Sequence, residues 1–530
     1  MYKRQAEALV SIQEDDLDVV CVQIASHYEG AGQAQQAIDF YFRAAESARR
    51  IYANEQAVGY YQHVLHGELA PRLTAERRTQ AMLGLGQVWR LTGMWPLATA
   101  VNREALSLAE QKGLDALYAE AQEALASILR MQGFYGEALD RLTKALTQWE
   151  QIGNWQGVNR VLWNMGETYW YQGDHPRAVH SLTRQLELAA TQSDDQGVCN
   201  ALGSLAMVHW SQGDIDQAEE CSLRAIAMAE TIGDRQALGR AHNILGNVGD
   251  ARRDYVFALQ QYRKFYIVAC AIDDRQGIGW ALHTVGLVFA QRGDFQRALA
   301  YILRAMAYIL PLGDKWSLSI GLHNCGRLLE FLGHPHFAEE IYRRTIAIAE
   351  RIGMPGYHAG NCLELAELLF KQGRFDEAAA AFCSAQQLAA IVAGEWLAGG
   401  DVRFKLALFD VQLRHAQRQM TREQAASAIH ELLAQWCTPE QQADLHYAAW
   451  MIDPALEAER VEAADFYGFS GATTSFHRFR SRYHELTGQS LPELPPLPDL
   501  PDVTIELPVD LEVLMTRLRL VLANLEDSLS

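Results

Sequence analysis

Proline is scarce in this chain: there are 14 in 530 residues, and five of them crowd into one stretch, LPELPPLPDLPD at 491–502. Paired cysteines are missing as well. The eight Cys, at 21, 199, 221, 270, 325, 362, 383 and 437, form no Cys-x-x-Cys, and several sit inside apolar helical stretches. They read as free buried thiols in a reducing cytosol, which places the chain in the cytoplasm. No apolar run approaches the length of a membrane helix, and no charged-then-apolar leader opens the sequence, so no membrane partner is expected. Positive charge is in deficit. Lys and Arg total 46 against 65 Asp and Glu, a net charge of −19 with no basic run, and such a field repels phosphate backbones. No nucleic-acid partner is expected through this region.

Catalytic signatures are also lacking. There is no nucleophile elbow, no His-Glu-x-x-His, no dinucleotide glycine fingerprint and no Gly-x-x-x-x-Gly-Lys-Ser/Thr loop. His63 and His66 lie three apart on a helix and His334 and His336 flank a turn proline, but neither pair has carboxylates or thiols at ligand spacing. They read as surface imidazoles. The expectation is a protein that is not an enzyme and takes no cofactor or metal.

What the chain does have is a lattice with a step of forty. Gly93, Gly133, Gly173, Gly213, Gly293, Gly333 and Gly373 fall in phase, with Arg253 alone out of type. Five residues after each slot comes Ala98, Ala138, Ala178, Ala218, Ala258, Ala298, Ala338 or Ala378. Seven residues before comes Gly86, Ala126, Gly166, Ala206, Gly246, Gly286, Gly326 or Ala366. A second turn recurs at Gly113, Gly153, Gly233, Gly313 and Gly353, with Ser193 and Asp273 filling the gaps. Two turns per unit leave two amphipathic segments of helical length; in 215–231, Ile215, Ala218, Cys221, Ala225, Ile226 and Met228 share one side. Asp174, Asp214 and Asp294 stand as N-caps, and Pro96, Pro176 and Pro335 take early helical positions. The small residues are expected to let two helix backbones approach, one small side chain against the other. At Arg253 the turn must change shape, kinking the array, or hold a strained left-handed residue. A hairpin of this kind buries its apolar face only by stacking on its neighbours.

A small residue, a turn Gly, an Ala five later, an apolar or aromatic residue four beyond (Tyr262, Ile302, Tyr342, Phe382) and a further Ala (Ala105, Ala145, Ala225, Ala305, Ala385) resembles the tetratricopeptide repeat, in a longer forty-residue form. The resemblance covers about 74–392 and implies an all-α, right-handed α-solenoid of helix-turn-helix units. Residues 71–392 then hold eight repeats. Residues 1–5, MYKRQ, read as a cloning or assembly scar, which puts natural sequence upstream. Residues 6–70 form an irregular first unit with the same grammar (Ala25, Gly32, Ala37, Tyr41, Ala44, then Ala57 and Tyr61). This stretch resembles the linker region of bacterial signal-transduction ATPases, in which a nucleotide-binding module and a winged-helix segment run into a repeat array. Similar arrays follow ATPase modules in some cyclase-linked and transcriptional regulators. Residues 393–488 read as degenerate helices capping the array, with helices at 396–417, 421–436, 439–450, 455–468 and 473–487. In the last of these, SFHRFRSRYHEL resembles the closing helix of the same ATPase-linked arrays. Residues 489–508 read as a stiff proline-rich linker, and 509–530 as an amphipathic helix carrying Leu511, Leu514, Leu518, Val521, Leu522 and Leu525, expected to dock back on the array.

In such a solenoid the first helix of each unit lines the inner curve. The stripe opposite the core slot contains Arg160, Asn164, Glu167 and Tyr171, then Asn200 and Ser204, Arg240 and Asn247, Trp280 and Thr284, and Asn324 and Arg327. Three residues before the slot come Trp163, Asn243, His283 and His323. Amides suit an extended peptide backbone, Arg a carboxylate, and Trp an apolar side chain. The expected partner is a protein or peptide in this groove. The expected role is the scaffold or sensor part of a larger bacterial signalling protein, with a self-contained peptide-sensing regulator and a passive assembly scaffold as alternatives.

Overall fold

The computed structural model describes residues 2–12, 17–51, 53–312, 314–352, 354–391, 402–436, 438–474, 477–493, 496–498, 500 and 511–527. Described residues are helix and turn, with no strand among them. The opening helices are α1 (Tyr2–Ile12), α2 (Leu17–Gly30), α3 (Ala34–Arg50) and α4 (Asn54–His66). Eight hairpins follow, each of a first and a second helix: α5 (Ala75–Leu91) with α6 (Trp95–Lys112), α7 (Asp115–Met131) with α8 (Tyr135–Gln151), α9 (Trp155–Tyr171) with α10 (His175–Thr191), and α11 (Asp195–Ser211) with α12 (Ile215–Ile232). The series continues with α13 (Arg235–Ala251) and α14 (Tyr255–Ala271), α15 (Arg275–Gln291) and α16 (Phe295–Ile309), α17 (Lys315–Phe331) and α18 (Pro335–Ile352), and α19 (Pro355–Lys371) and α20 (Phe375–Ile391). The closing helices are α21 (Val402–Ala416), α22 (Arg422–Gln435), α23 (Pro439–Ile452), α24 (Glu457–Thr474), α25 (His477–Thr487) and α26 (Leu511–Asp527). This is the tetratricopeptide α-solenoid fold that the lattice implies.

By packing, the chain divides into two units. Unit 1 holds Met1–Trp170, Pro176–Gly197 and Leu310–Trp316; unit 2 holds Tyr171–His175, Val198–Ile309 and Ser317–Ser530. In unit 1, α1 begins at Tyr2, so residues set aside in the sequence reading are helical, and Tyr2 stacks on His27. The segment 310–316 packs into the same unit: Asn54 Nδ2 donates to the Leu312 carbonyl at 3.0 Å, and buried Lys315 reaches Met94 Sδ at 3.5 Å.

Every one of the eight lattice alanines, from Ala98 to Ala378, is fully buried. The small slot seven residues before each turn works differently from expectation. Where the slot is glycine it does not face another small side chain; it receives a longer one from the second helix. A Cβ on Gly166 would lie 2.5 Å from Leu182, one on Gly246 2.4 Å from Tyr262, and one on Gly326 2.5 Å from Tyr342. The recurring apolar or aromatic residue is therefore the knob, and the glycine is the floor of its hole.

The turn at Arg253 settles the alternative left by the sequence. Arg253 takes φ +62°, the conformation its glycine counterparts take. Its turn keeps the same bonds, with Arg253 N donating to Asp250 O at 2.8 Å and Asp254 N to Gly249 O at 2.8 Å, as Gly213 and Asp214 do to Trp210 and His209. The turn is regular, so the proposed local kink is replaced by a strained residue, at a cost of about 1–2 kcal/mol. Ser193 and Asp273 are left-handed in the same way. Gly313 and Gly353 lie outside the described residues. Capping is denser than the sequence suggested. Asp214 and Asp294 accept from Gln217 N and Arg297 N, and Asn154, Asp194, Asp234, Asp254 and Asp274 do the same for their own helices.

In unit 2 the closing helices form two small cores, one around Phe404, Ile429 and Leu445 and one around Tyr467, Phe479 and Leu486. Helix α24 runs on to Thr474, past the expected end at 468; within it Gly468 and Gly471 allow close approach, since a Cβ there would meet Tyr483 at 2.8 Å and Leu491 at 2.7 Å. Buried Asp444 ties this cap together, accepting from Tyr467 Oη at 2.6 Å and pairing with Arg478 and Arg482.

Helix α26 packs on α16. It buries Leu514, Met515, Leu518, Val521, Leu522 and Leu525, and Arg519 lies over the Phe337 ring at 5.2 Å beside Glu340. The reason lies on the outer face of α16. Ala300 and Leu303 are buried there, whereas the matching positions of α14 are Gln260 and Arg263, and those of α18 are Glu340 and Arg343. Only this second helix offers α26 an apolar seat among its neighbours. Leu518→Glu is expected to raise hydrogen exchange across 511–527 to that of an unstructured chain and leave the repeats protected; unchanged protection of 511–527 contradicts this docking.

Candidate functional site: the inner faces of the repeats

Successive first helices approach one another, α5 with α7 in unit 1 and α13 with α15 in unit 2, and α19 approaches the closing helix α21. These first helices carry the polar stripe singled out from the sequence. Many of its residues are already committed to one another.

In unit 1, Arg160 is held by Glu123, with Nε to Oε2 at 2.8 Å and Nη2 to Oε1 at 2.9 Å, and lies over the Trp149 ring at 5.4 Å. Trp149 Nε1 donates to the same carboxylate at 2.7 Å, so buried Glu123 is shared by two neighbours. The Glu123 hydrogen bonds raise the Arg160 pKa against the burial that would lower it. Glu167 pairs with Arg130 at 3.3 Å, whose guanidinium sits 5.8 Å from the half-buried Trp163 ring. Asn164 Nδ2 turns back to the Arg160 carbonyl at 3.1 Å. This face is a closed polar network.

Unit 2 carries the other half of the stripe. Exposed Arg240 donates to Asn200 Oδ1 at 3.1 Å, linking α13 to α11. Tyr262 Oη donates to Asn247 Oδ1 at 2.7 Å. Ser204 and Asn243 are half-buried, and the Asn243 Oδ1 has no donor. Buried His283 packs edge-on against Trp280 at 5.6 Å, and its Nε2 meets Asn324 Nδ2 at 3.2 Å. Buried His323 sets Nδ1 3.2 Å from Asn361 Oδ1 on α19. Half-buried Arg327 lies among Glu364, Glu367 and Glu330; burial opposes its charge, and these carboxylates outweigh it and raise its pKa.

The structure adds residues that the sequence reading missed. Glu364 pairs with Lys405 at 3.6 Å, and Lys371 with Glu330 at 2.5 Å. Burial would raise the Glu364 pKa, but Lys405, Arg327 and His323 bring it down to about 2. Burial and Glu364 together push Glu367 up. A signal for these existed: carrying the same spacing one repeat past Asn324 and Arg327 lands on Glu364 and Glu367. Among the described residues no group of His, Cys, Asp or Glu could hold a metal ion, and no helix is long and apolar enough to cross a membrane.

With this geometry in view, comparison with known proteins is informative about the repeats. Sequence profiles of the tetratricopeptide repeat match residues 117–191 and 275–351, 198–232 and 362–382. The chain therefore carries tetratricopeptide repeats. No curated protein matches it. Among solved structures, a Rap protein complexed with Competence and Sporulation Factor aligns with 11% identity over 67% of this chain and 98% of that one, TM-score 0.46. Apo RapI aligns with 15% identity over 51% of this chain and 98% of its own, TM-score 0.43. Aspartyl phosphate phosphatase F from Bacillus subtilis aligns with 15% identity over 71% of this chain and 94% of its own, TM-score 0.42.

Burial pushes the pKa of both His283 and His323 down to about 4 from an unfolded value near 6.5. The unfolded chain then binds more protons than the folded one between those values. Stability contributed by the neutral imidazoles is complete above pH about 6.5 and lost as pH falls toward 4, by roughly 3 kcal/mol per histidine. Denaturant titrations of wild type and His323→Gln across that window should show the variant losing markedly less stability; parallel curves contradict the assignment.

Proposed function

We propose that this protein is a protein- or peptide-binding tetratricopeptide scaffold that works as the sensing region of a larger bacterial signalling protein. The observation that supports it most is the chemistry of the inner face of unit 2. There α13, α15, α17 and α19 carry amide, indole and charged groups, exposed or half-buried, at corresponding positions of successive repeats. Recognition there couples to an attached output module to the extent that the partner prefers one state of the array over another.

The larger context rests on the resemblance of 6–70 to ATPase linker regions. A contiguous genomic read upstream of residue 6 that encodes a phosphate-binding loop supports it, and a stop codon ahead of a genuine start removes it.

Recognition itself is tested by a photo-crosslinking side chain placed at Trp280 on the inner face or at Leu223, which is exposed on the second helix α12. The expected result is one dominant crosslinked polypeptide from cells at Trp280 and none at Leu223. Equal labelling at both positions contradicts an inner-face site.

A further inference from the structure

Two guanidiniums at the same place in the repeat have different surroundings. In unit 1 the Arg160 guanidinium is closed by a carboxylate. Glu123, 37 residues earlier on the preceding first helix, accepts from Nε at 2.8 Å and from Nη2 at 2.9 Å, and Trp149 Nε1 donates to the same carboxylate at 2.7 Å. Two steps of forty further on, Glu123, Trp149 and Arg160 correspond to Gly203, Ala229 and Arg240, all in unit 2. The guanidinium is kept, and both the carboxylate and the indole are gone. Arg240 is exposed and donates to Asn200 Oδ1 at 3.1 Å, a neutral acceptor that fixes its direction without balancing its charge. Among the described residues no carboxylate pairs with it; Asp234, the N-cap of its own helix, accepts from Ala237 N at 2.9 Å. Gly203 is half-buried, and a Cβ there would find no neighbouring atom within 4 Å, so the place that the Glu123 side chain fills on α7 is open space on α11. The other guanidiniums of the stripe do have carboxylates: Arg130 pairs with Glu167 at 3.3 Å, and Arg327 lies among Glu364, Glu367 and Glu330. Half-buried Arg90 on α5 lies in a different row of the repeat and has Asp314 near it.

We propose that the open space at Gly203 receives the side-chain carboxylate of an Asp or Glu on a partner polypeptide, which takes beside Arg240 the place that Glu123 has beside Arg160. The groups that meet it are at the surface, since Arg240 is exposed and Gly203 and Asn200 are half-buried. A guanidinium has donors only, and its fork matches the two oxygens of a carboxylate. Asn243, one turn along α13, buries its Oδ1, so its NH2 is the side it offers a ligand. A Lys or Arg on the partner would bring like charge to Arg240, and an amide would fill the space and leave the charge unbalanced. The net charge of −19 repels a strongly acidic segment at long range, so the fit is one carboxylate among neutral residues. Half-buried Trp280, at the corresponding position of the next first helix, offers an apolar contact to the residue beside that carboxylate. The proposal rests on the reading above, that this face of unit 2 binds a polypeptide, and adds the chemistry of one contact.

The test uses the full chain and short peptides capped at both ends, each a fluorophenylalanine followed by Glu, Gln or Lys and then alanine, so that one side chain varies and the fluorine reports binding. Fluorine NMR line broadening across a protein titration should give the Glu peptide an affinity at least about tenfold above that of the Gln or Lys peptide. Arg240→Gln should remove that preference, and Arg224→Gln, at an exposed guanidinium on α12, should leave it intact. Gly203→Glu places a carboxylate of the chain itself in the open space and should abolish binding of the Glu peptide; Gly203→Gln, equal in size and uncharged, should weaken it less. Circular dichroism melts establish that the variants are folded. Absent binding of the Glu peptide, equal affinity for the Glu and Gln peptides, a preference that survives Arg240→Gln, or equal effects of Gly203→Glu and Gly203→Gln overturns the proposal. If crosslinks at Trp280 persist in that case, the face still binds a partner and only the carboxylate contact is wrong; if they too are absent, the recognition reading falls with it.

Discussion

In the repeats whose slot is glycine, a large side chain of the second helix lodges over the bare backbone of the first and holds the pair together. Tyr262 over Gly246, Tyr342 over Gly326 and Leu182 over Gly166 are three instances of one contact. The glycine lets the two helices close to a distance at which dispersion contacts are made along their whole length. The cost is a flexible residue within a helix, about 1 kcal/mol relative to alanine, offset by the packing it allows. The buried alanine five residues past the turn secures the other side of the crossing. With the crossing fixed, successive first helices come together, as α5 does with α7 and α13 with α15.

That geometry decides what the inner face can be. Residues on it are spaced by the repeat, so corresponding positions form rows from helix to helix. In unit 1 the row is closed by its own charges, as Glu123 takes Trp149 and Arg160 at once. In unit 2 some pairs close, such as Arg240 with Asn200, and others leave acceptors open, such as His323 and Asn243. The same scaffold thus carries a closed network on one stretch and buried acceptors without donors on another. On the outer side, α26 shows the array already accepting a helix where one second helix turns apolar.

Most of this architecture was legible because the constraint repeats. A glycine or alanine at one fixed distance from a turn is weak evidence once and strong evidence eight times. The identity of the contact was harder to read, since two small residues in phase suggest each other as partners; the aromatic at the next lattice position was the true neighbour. The strained turn at Arg253 could not be told from a kink, because both accommodate a side chain where glycine is expected, and only the retained hydrogen bonds distinguish them. The polar stripe of the first helices was legible from spacing, but its electrostatics were not. Arg160 read as a free clamp from its type alone, and its partner Glu123 lies 37 residues away on the preceding first helix. The seat of α26 on α16 is written in Ala300 and Leu303, which break the polar outer pattern of the flanking repeats, a signal visible only when outer positions are compared across repeats.

A double-mutant cycle at one knob and its hole tests the central contact most directly. Gly246→Leu fills the hole and is expected to destabilise unit 2 by several kcal/mol, since the added side chain meets the Tyr262 ring. Tyr262→Ala empties the space from the other side, at about 3–5 kcal/mol. Chemical denaturation of the double variant should recover at least about 1 kcal/mol relative to the sum of the two. Strict additivity would mean that the residues do not share a space, and would contradict the account of how the repeats are built.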